Sequence, residues 1–322
     1  MISARKVVVA TRKLPDAAEQ VLKSEFAARL NKSDRAYTAN ELIDLAAGAD
    51  ALLVTVTDRI DANLIEALPS SLRIIANFGV GYEHIDIDTA RSRGVIVTNT
   101  PDVLTEATAE IAVLLMLGAA RRAGEGHMLV MQGAWPGWSP TFMMGHGVTG
   151  KKLGILGMGR IGQAVAHRAR GFDMEIHYHN RKRLPPDREQ GARYHDSTDS
   201  LFAVSTFLSI HATSTPQTKA IVNARTIDLL PKGAILINTA RGDLVDDAAV
   251  IAALKNGQLA AAGFDVFAGE PNPHPDYRRA PNVFLLPHLG SATIETRNNM
   301  GFLAIENLRA FFAGKEPPNR VA

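Results

Sequence analysis

Lys151-Lys152-Leu153-Gly154-Ile155-Leu156-Gly157-Met158-Gly159-Arg160-Ile161-Gly162 joins a short apolar run to a G-x-G-x-x-G turn, and Gln163 to Arg170 continues with helical spacing. Strand, glycine turn and helix in that order are the setting of a dinucleotide-binding turn. Gly157 permits the tight exit from the strand, Gly159 lets a pyrophosphate approach the backbone, and Gly162 allows close packing of the helix on the sheet. The unpaired N–H groups and positive dipole end of a helix starting near Arg160 then face the phosphates. A glycine-rich turn alone is as often structural as functional, so its neighbours decide its meaning.

Downstream, Glu175 to Tyr178, Phe207 to His211, Ala234 to Asn238, Ala260 to Phe264 and Val283 to Leu286 read as five more strands. With the strand at Leu153 they make six, the number a complete dinucleotide fold uses. Helical segments such as Ala224 to Leu230 and Asp247 to Leu254 separate several of them.

Upstream, Val7 to Ala10, Leu52 to Val56, Leu72 to Ala76 and Val95 to Val97 read as strands. They alternate with helices over Asp16 to Leu30, over Asp61 to Leu68 with Asp61 as the cap, and over Asp86 to Arg93 before Gly94. Such alternation implies a parallel sheet covered on both faces. Asn99-Thr100-Pro101 is a natural hinge, because Pro fixes its own φ and restricts the residue before it. A long Ala- and Leu-rich helix follows from Thr105 to Arg122, apolar around most of its surface, and a Gly-, Pro- and Trp-rich loop, Gln132 to Gly150, leads into the glycine turn. Ile294 to Phe312 is a closing helix that returns to the first domain.

At 322 residues two domains are the natural expectation. A 46% hydrophobic and 21% charged composition is globular, and 35 basic against 33 acidic residues leave a net charge of only +2. Nothing here points to nucleic acid or to an anionic membrane. The absence of cysteine excludes disulfides, thiolate catalysis and Cys-ligated metal. MISARKVVVATRK has too short an apolar run for a signal peptide, and Ile111 to Ala120 is far below the roughly 20 residues of a membrane span. A soluble, cytoplasmic protein is expected.

The ribose preference of a dinucleotide fold is commonly marked about 20 residues past the glycines, with an acidic side chain for NAD. Here the second strand ends in His179-Asn180-Arg181-Lys182-Arg183, without a carboxylate. Arg181 with Lys182 or Arg183 suits a 2′-phosphate, which an Asp would repel. NADP(H) is therefore the expected cofactor, with NAD(H) as the alternative; the plainer reading is a solvated basic loop.

Three segments follow strand ends: Asn238-Thr239-Ala240-Arg241-Gly242, then Asp265-Val266-Phe267-Ala268-Gly269-Glu270-Pro271, then Pro287-His288-Leu289-Gly290-Ser291-Ala292-Thr293. Ligands bind at that edge of open α/β sheets. Singly, an Arg is usually solvated, a Glu before Pro is commonly a turn residue, and a His near a strand end is usually structural. Together at one edge they make a constellation that can hold a carboxylate and move a proton.

Carrying GMGRIG, NTARGD, GFDVFAGEP and PHLGSAT, the chain resembles the D-isomer-specific 2-hydroxyacid dehydrogenase family over essentially its whole length, and within it the glyoxylate and hydroxypyruvate reductases. The resemblance implies an α/β fold of two doubly wound parallel-sheet domains. A Rossmann coenzyme domain, 100–289, would be inserted in a flavodoxin-like substrate domain, 1–99 with 290–322. The implied reaction is NADPH-dependent reduction of a small 2-oxoacid, with another D-2-hydroxyacid dehydrogenase activity, such as the D-lactate type, as the alternative, in a cleft between domains that hinges near Asn99 to Pro101 and near Gly290 would close.

The resemblance also implies roles. Arg241 would pair with the substrate carboxylate and its neighbouring carbonyl, the backbone of Val80 and Gly81 would donate to the same carboxylate, and Ser291 would line the substrate site. His288 would protonate the carbonyl oxygen, with Glu270 orienting its ring and stabilising its charge. Gly159, Arg160 and Ile161 would hold the pyrophosphate and Arg181, Lys182 and Arg183 the adenosine 2′-phosphate, with Gly157, Gly162 and Asn180 also counted among the cofactor-binding residues. Thr213 would sit near the adenosine, Thr239 and Asp265 near the nicotinamide, Gly290 beside its ring, and Thr108 at the cofactor.

Formate dehydrogenases of the family pair their His with a Gln-type partner, so a Glu partner favours carbonyl reduction. Phosphoglycerate dehydrogenases often carry an added regulatory domain, whereas the sequence here stops soon after its closing helix. The resemblance to dimeric glyoxylate reductases implies a homodimer, with Trp135 or Trp138 reaching toward the partner's active site or else packing on the long helix. His177, His179 and His211 show no metal-site spacing, and no metal is expected. A redox-sensing corepressor of the same fold, resembling the C-terminal-binding proteins, is the alternative from another class; the chain lacks the long disordered tail such a role would use.

Overall fold

Apolar runs too short for helices pair into two wholly parallel sheets. The first holds β1 (Val7–Ala10), β2 (Ala27–Arg29), β3 (Ala51–Thr55), β4 (Ile74–Phe78) and β5 (Ile96–Thr98) in the order β2-β1-β3-β4-β5. This is the flavodoxin-like order. The second holds β6 (Lys152–Leu156), β7 (Glu175–His179), β8 (Arg193–Tyr194), β9 (Phe207–Ile210), β10 (Ala234–Asn238), β11 (Leu259–Phe264) and β12 (Val283–Leu285). Its order, β12-β11-β10-β9-β6-β7-β8, is that of a dinucleotide fold with one strand added beyond the sixth. The computed structural model describes residues 5–322, so the first four residues of the stretch read against a signal peptide lie outside it.

Contacts divide the chain into two units. One runs to Leu104 and resumes at Ala292–Ala322; the other is Thr105–Ser291. In the first, the closing helix Ile294–Phe312 packs on β4 and on the helix Asp16–Glu25, burying Ala304, Ile305 and Leu308 against Val8, Leu53 and Ile74. In the second, the long helix Thr105–Ala120 lies on β10, β11 and β12 and against the helix Arg160–Arg170. Gly118 makes that seat possible, because a Cβ there would fall 2.4 Å from the ring of Phe284.

Several boundaries differ from the sequence reading. The first helix stops at Glu25, not Leu30: Phe26 is extended and buried, and Ala27 donates its N–H to Lys6 to begin β2. Edge pairing satisfies backbone groups that a longer helix would leave exposed. The short helix Ala39–Ala46, opened by a Thr38–Glu41 capping box, was not anticipated although T-x-x-E marks it. The second sheet has seven strands, not six, because the two-residue β8 is too short to read as a run. The long helix ends at Ala120, Arg122 turns with a left-handed φ of 54°, and a further helix, Ala123–Met131, follows with none of its residues buried.

Candidate active site

The order of the second sheet reverses between β6 and β9, so the glycine turn leaving β6 stands beside the chain leaving β9. Gly157 adopts a φ of +98°, and a Cβ on it would strike the backbone of His211 and Ala212 at 2.6 Å. Gly162 is equally constrained, since its Cβ would lie 2.4 Å from the carbonyl oxygen of Gly157. Around Gly159, in contrast, there is open space. Gly159 is the N-cap of the 11-residue helix Arg160–Arg170 and offers no side-chain cap to its first N–H groups. Two glycines thus close the turn while the third leaves an uncapped helix end facing a void, which fits a dinucleotide pyrophosphate.

Arg241, Glu270 and His288 follow β10, β11 and β12 at the same edge of the sheet. Gly242 brings the first two turns together: a Cβ there would lie 1.9 Å from the carbonyl carbon of Phe267. Asn238 fixes the Arg241 turn from both sides, donating to the Arg241 carbonyl at 2.8 Å and accepting from the Ala240 N–H at 2.9 Å. Nδ1 of His288 lies 2.7 Å from Oε2 of Glu270, whose Oε1 accepts the Phe267 N–H at 2.9 Å. Burial pushes the Glu270 carboxyl up, but the hydrogen bonds from His288 and Phe267 and the charges of His288 and Arg241 outweigh it and hold it below the usual carboxylate value. A carboxylate on Nδ1 leaves Nε2 of His288 as the nitrogen that can meet a ligand.

His288 itself has a left-handed φ of 56°, an uncommon conformation for a residue with a side chain. Asp265 maintains it. Its carbonyl accepts the His288 N–H at 2.9 Å, while its carboxylate accepts the N–H groups of Leu289 at 2.6 Å and Gly290 at 2.7 Å. Thr108 completes the turn by donating to the Gly290 carbonyl at 3.1 Å. Burial raises the Asp265 carboxyl above its ordinary value, against those two N–H donors. Sequence reading had put Asp265 and Thr108 at the cofactor, and the bonds show what both do for the His288 turn. Ser291 directly follows that turn. Thr239 lies 3.4 Å from Nδ1 of His211, whose Nε2 meets Ser209 at 2.8 Å; burial pushes the His211 ring down to about 4, so it is neutral at working pH. Thr213 is exposed in the same loop.

At the end of β7, Asn180 accepts the Met158 N–H at 2.6 Å, so its side chain secures the glycine turn. Arg183 binds Glu189 through Nε at 2.8 Å and an NH2 at 3.0 Å, and its guanidinium lies 5.7 Å from the centre of the Tyr194 ring. The Tyr178 hydroxyl donates to the same carboxylate at 2.5 Å and accepts the Leu184 N–H. The Arg183 guanidinium and that hydroxyl hold Glu189 down to about 2, so the clamp remains charged at any working pH. Arg183 is therefore partly occupied by the protein, whereas Arg181 and Lys182 are exposed and have no ion pair among the described residues. No spacing in the sequence signals the Tyr178–Glu189–Arg183 clamp.

Residues 113–290 match the D-isomer specific 2-hydroxyacid dehydrogenase, NAD binding domain. The chain is 45% identical to a glycerate dehydrogenase of Hyphomicrobium methylovorum over 97% of its own length and 98% of the relative's. It belongs to the D-isomer-specific 2-hydroxyacid dehydrogenase family. It is also 44% identical to a glyoxylate reductase of Thermococcus litoralis, covering 98% of this chain and 96% of that one. Among solved structures, the NADPH-dependent glyoxylate/hydroxypyruvate reductase of Sinorhizobium meliloti, in complex with NADP and malonate, superposes with a TM-score of 0.90 at 34% identity, covering 99% of this chain and 97% of that one. As a D-2-hydroxyacid dehydrogenase, the chain is an NAD(P)-dependent oxidoreductase acting on the CH–OH group of D-2-hydroxy acids.

Within this dehydrogenase, Val80 and Gly81 lie in the other unit, in the loop that follows β4. The tryptophans do not pack as the plainer reading expected. Trp138 is 82% exposed, and Trp135, 57% exposed, lines an apolar groove of about 200 Å3 with Leu129, Val130, Phe142 and Met143. Among the described residues no helix is long and apolar enough to cross a membrane, and no cluster of three His, Cys, Asp or Glu residues is suited to a metal ion.

Proposed function

We propose that this dehydrogenase reduces small 2-oxoacids, glyoxylate to glycolate and hydroxypyruvate to D-glycerate, with NADPH preferred to NADH. The observation that carries the reading is the 2.7 Å pair of Glu270 and His288 at the sheet edge that also bears Arg241. A bound nicotinamide supplies the hydride. Arg241 grips the carboxylate and the adjacent carbonyl oxygen, the N–H groups of Val80 and Gly81 bind the carboxylate, and Ser291 lines the pocket. His288 gives its Nε2 proton to the carbonyl oxygen, and Glu270 stabilises the charged ring until then.

Two features support NADPH: the end of β7 has no carboxylate, and Arg181 and Lys182 stand exposed directly after Asn180, whose side chain secures the glycine turn. The Arg183–Glu189 clamp gives Arg181 the larger share of the phosphate contact. Steady-state assays of a panel of 2-oxoacids with both cofactors test the reading. Glyoxylate and hydroxypyruvate should give the highest kcat/KM, and NADPH should exceed NADH. Arg181→Ala should raise KM for NADPH about tenfold, the worth of one charge-assisted hydrogen bond, with little change for NADH. A clear NADH preference in the unaltered enzyme would overturn the cofactor assignment, and negligible turnover of every 2-oxoacid would overturn the substrate.

The same reading gives a cytoplasmic homodimer. Val130, Met131, Trp135, Trp138 and Met144 are exposed on or just after the helix Ala123–Met131, an apolar density that favours burial against a second copy. Sedimentation velocity should report a dimer, and Val130→Glu with Met131→Glu should shift it to monomer. A monomer at micromolar concentration in the unaltered protein would remove the proposal.

A further inference from the structure

The loop leaving β4 has every carbonyl of Gly79, Val80 and Gly81 held from within the same unit. Gly79 O accepts from Nδ2 of Asn77 at 3.1 Å and from the Thr100 N–H at 2.9 Å. Val80 O accepts from Nδ2 of Asn99 at 2.8 Å, and Gly81 O from Nδ2 of Asn77 at 2.8 Å. The two amides are firmly seated. Asn77 is fully buried on β4; Asn99, 8% exposed, has its carbonyl bound by Nδ2 of Asn307 and donates its own N–H to Asn319. Only the NH2 end of Asn77 can serve two carbonyls, since its oxygen has no proton to give.

In a planar trans peptide the carbonyl of one residue and the N–H of the next point in opposite directions. Holding Gly79 O and Val80 O inward therefore turns the N–H groups of Val80 and Gly81 outward. Neither has a hydrogen-bond partner among the described residues. Successive N–H groups presented to one side form a concavity for an anion. Were either peptide to flip, a carbonyl oxygen would face the anion and a donor would be lost.

We propose that Asn77 and Asn99 are positioning residues for the substrate carboxylate, acting by holding the Gly79 and Val80 carbonyls so that the Val80 and Gly81 N–H groups are aimed before substrate arrives. This rests on the assignment of those N–H groups to the carboxylate. It also carries a signature that general loosening of the fold would not give. The loop meets only the carboxylate that all 2-oxoacids share, so its disturbance weakens every one of them by the same factor and leaves the cofactor alone.

The test compares Asn99→Ala, Asn77→Ala and Gly81→Pro in the full-length enzyme, the last removing one N–H itself. KM for glyoxylate and for hydroxypyruvate should rise together by about tenfold in each variant, as should Ki for oxalate as a competitive inhibitor, with kcat within about twofold and Kd for NADPH unchanged. Unchanged KM in Asn99→Ala and Asn77→Ala, or losses confined to kcat, NADPH affinity and Tm, would overturn the proposal. Gly81→Pro then separates the causes: a raised KM there keeps the carboxylate assignment and rejects only the role of the asparagines, whereas an unchanged KM rejects the assignment. Should Asn77→Ala fail to fold, Asn99→Ala decides.

Discussion

His288→Asn is expected to lower kcat for glyoxylate reduction by about 10²- to 10⁴-fold, the usual contribution of a positioned general acid. Affinity for NADPH should be nearly unchanged, because Asp265 and Thr108 hold the turn through backbone atoms of residues 288–290 that the substitution retains. Under the proposed role of His288 as proton donor, reduction draws a proton from its ring, and activity is expected to fall with rising pH. The Glu270 carboxyl, held below its ordinary value, lies as an anion 2.7 Å from the His288 ring. Glu270→Gln removes the negative charge that favours protonated His288, and the alkaline limb of the pH–kcat profile should move to lower pH. A kinetic isotope effect with deuterated NADPH shows where chemistry limits the rate. A flat alkaline limb under those conditions in the unaltered enzyme would contradict the role of His288.

What the sequence made legible was set by how local the signal is. The GMGRIG turn and the strand before it are contiguous, and their geometry follows from residue type: Gly157 is in the positive-φ region and Gly159 opens to space. Asp61 caps its helix as the residue type implies, accepting the Leu64 N–H. Long-range bonds leave no such trace. Nothing in the spacing of Tyr178, Arg183 and Glu189 says that the protein itself engages an arginine that a phosphate would want. Nor does GFDVFAGEP say that the Asp265 carboxylate reaches 24 and 25 residues onward to two backbone N–H groups. β2 and β8 were missed for a related reason, since three- and two-residue edge strands owe their conformation to the neighbour they pair with. The alternation of strands and helices still fixed which loops meet at one edge, and that was enough to bring Arg241, Glu270 and His288 into one hypothesis.

Arg241→Lys is the second large expected effect: kcat/KM for glyoxylate should fall on the order of 10²- to 10³-fold, corresponding to the roughly 2–5 kcal/mol lost when one partner of a desolvated charge pair is removed. Charge alone does not protect the site, because an ammonium on a flexible stem cannot make the paired contacts that a planar guanidinium makes to a carboxylate and its neighbouring carbonyl. The loss should appear in both KM and kcat, since the carbonyl contact strengthens as negative charge gathers on that oxygen. Placement is built into the backbone: Asn238 pins the Arg241 carbonyl, and Gly242 lies so close to Phe267 that the arginine turn and the Glu270 turn cannot move independently. Adding guanidinium to Arg241→Ala should accordingly restore part of the activity, because the rest of the site keeps its shape. No rescue, together with an unchanged KM in Arg241→Lys, would place the carboxylate elsewhere. The same loss in Arg241→Lys with hydroxypyruvate would tie the arginine to the shared 2-oxoacid group, whereas a much smaller loss would mean that it reads the substituent beyond.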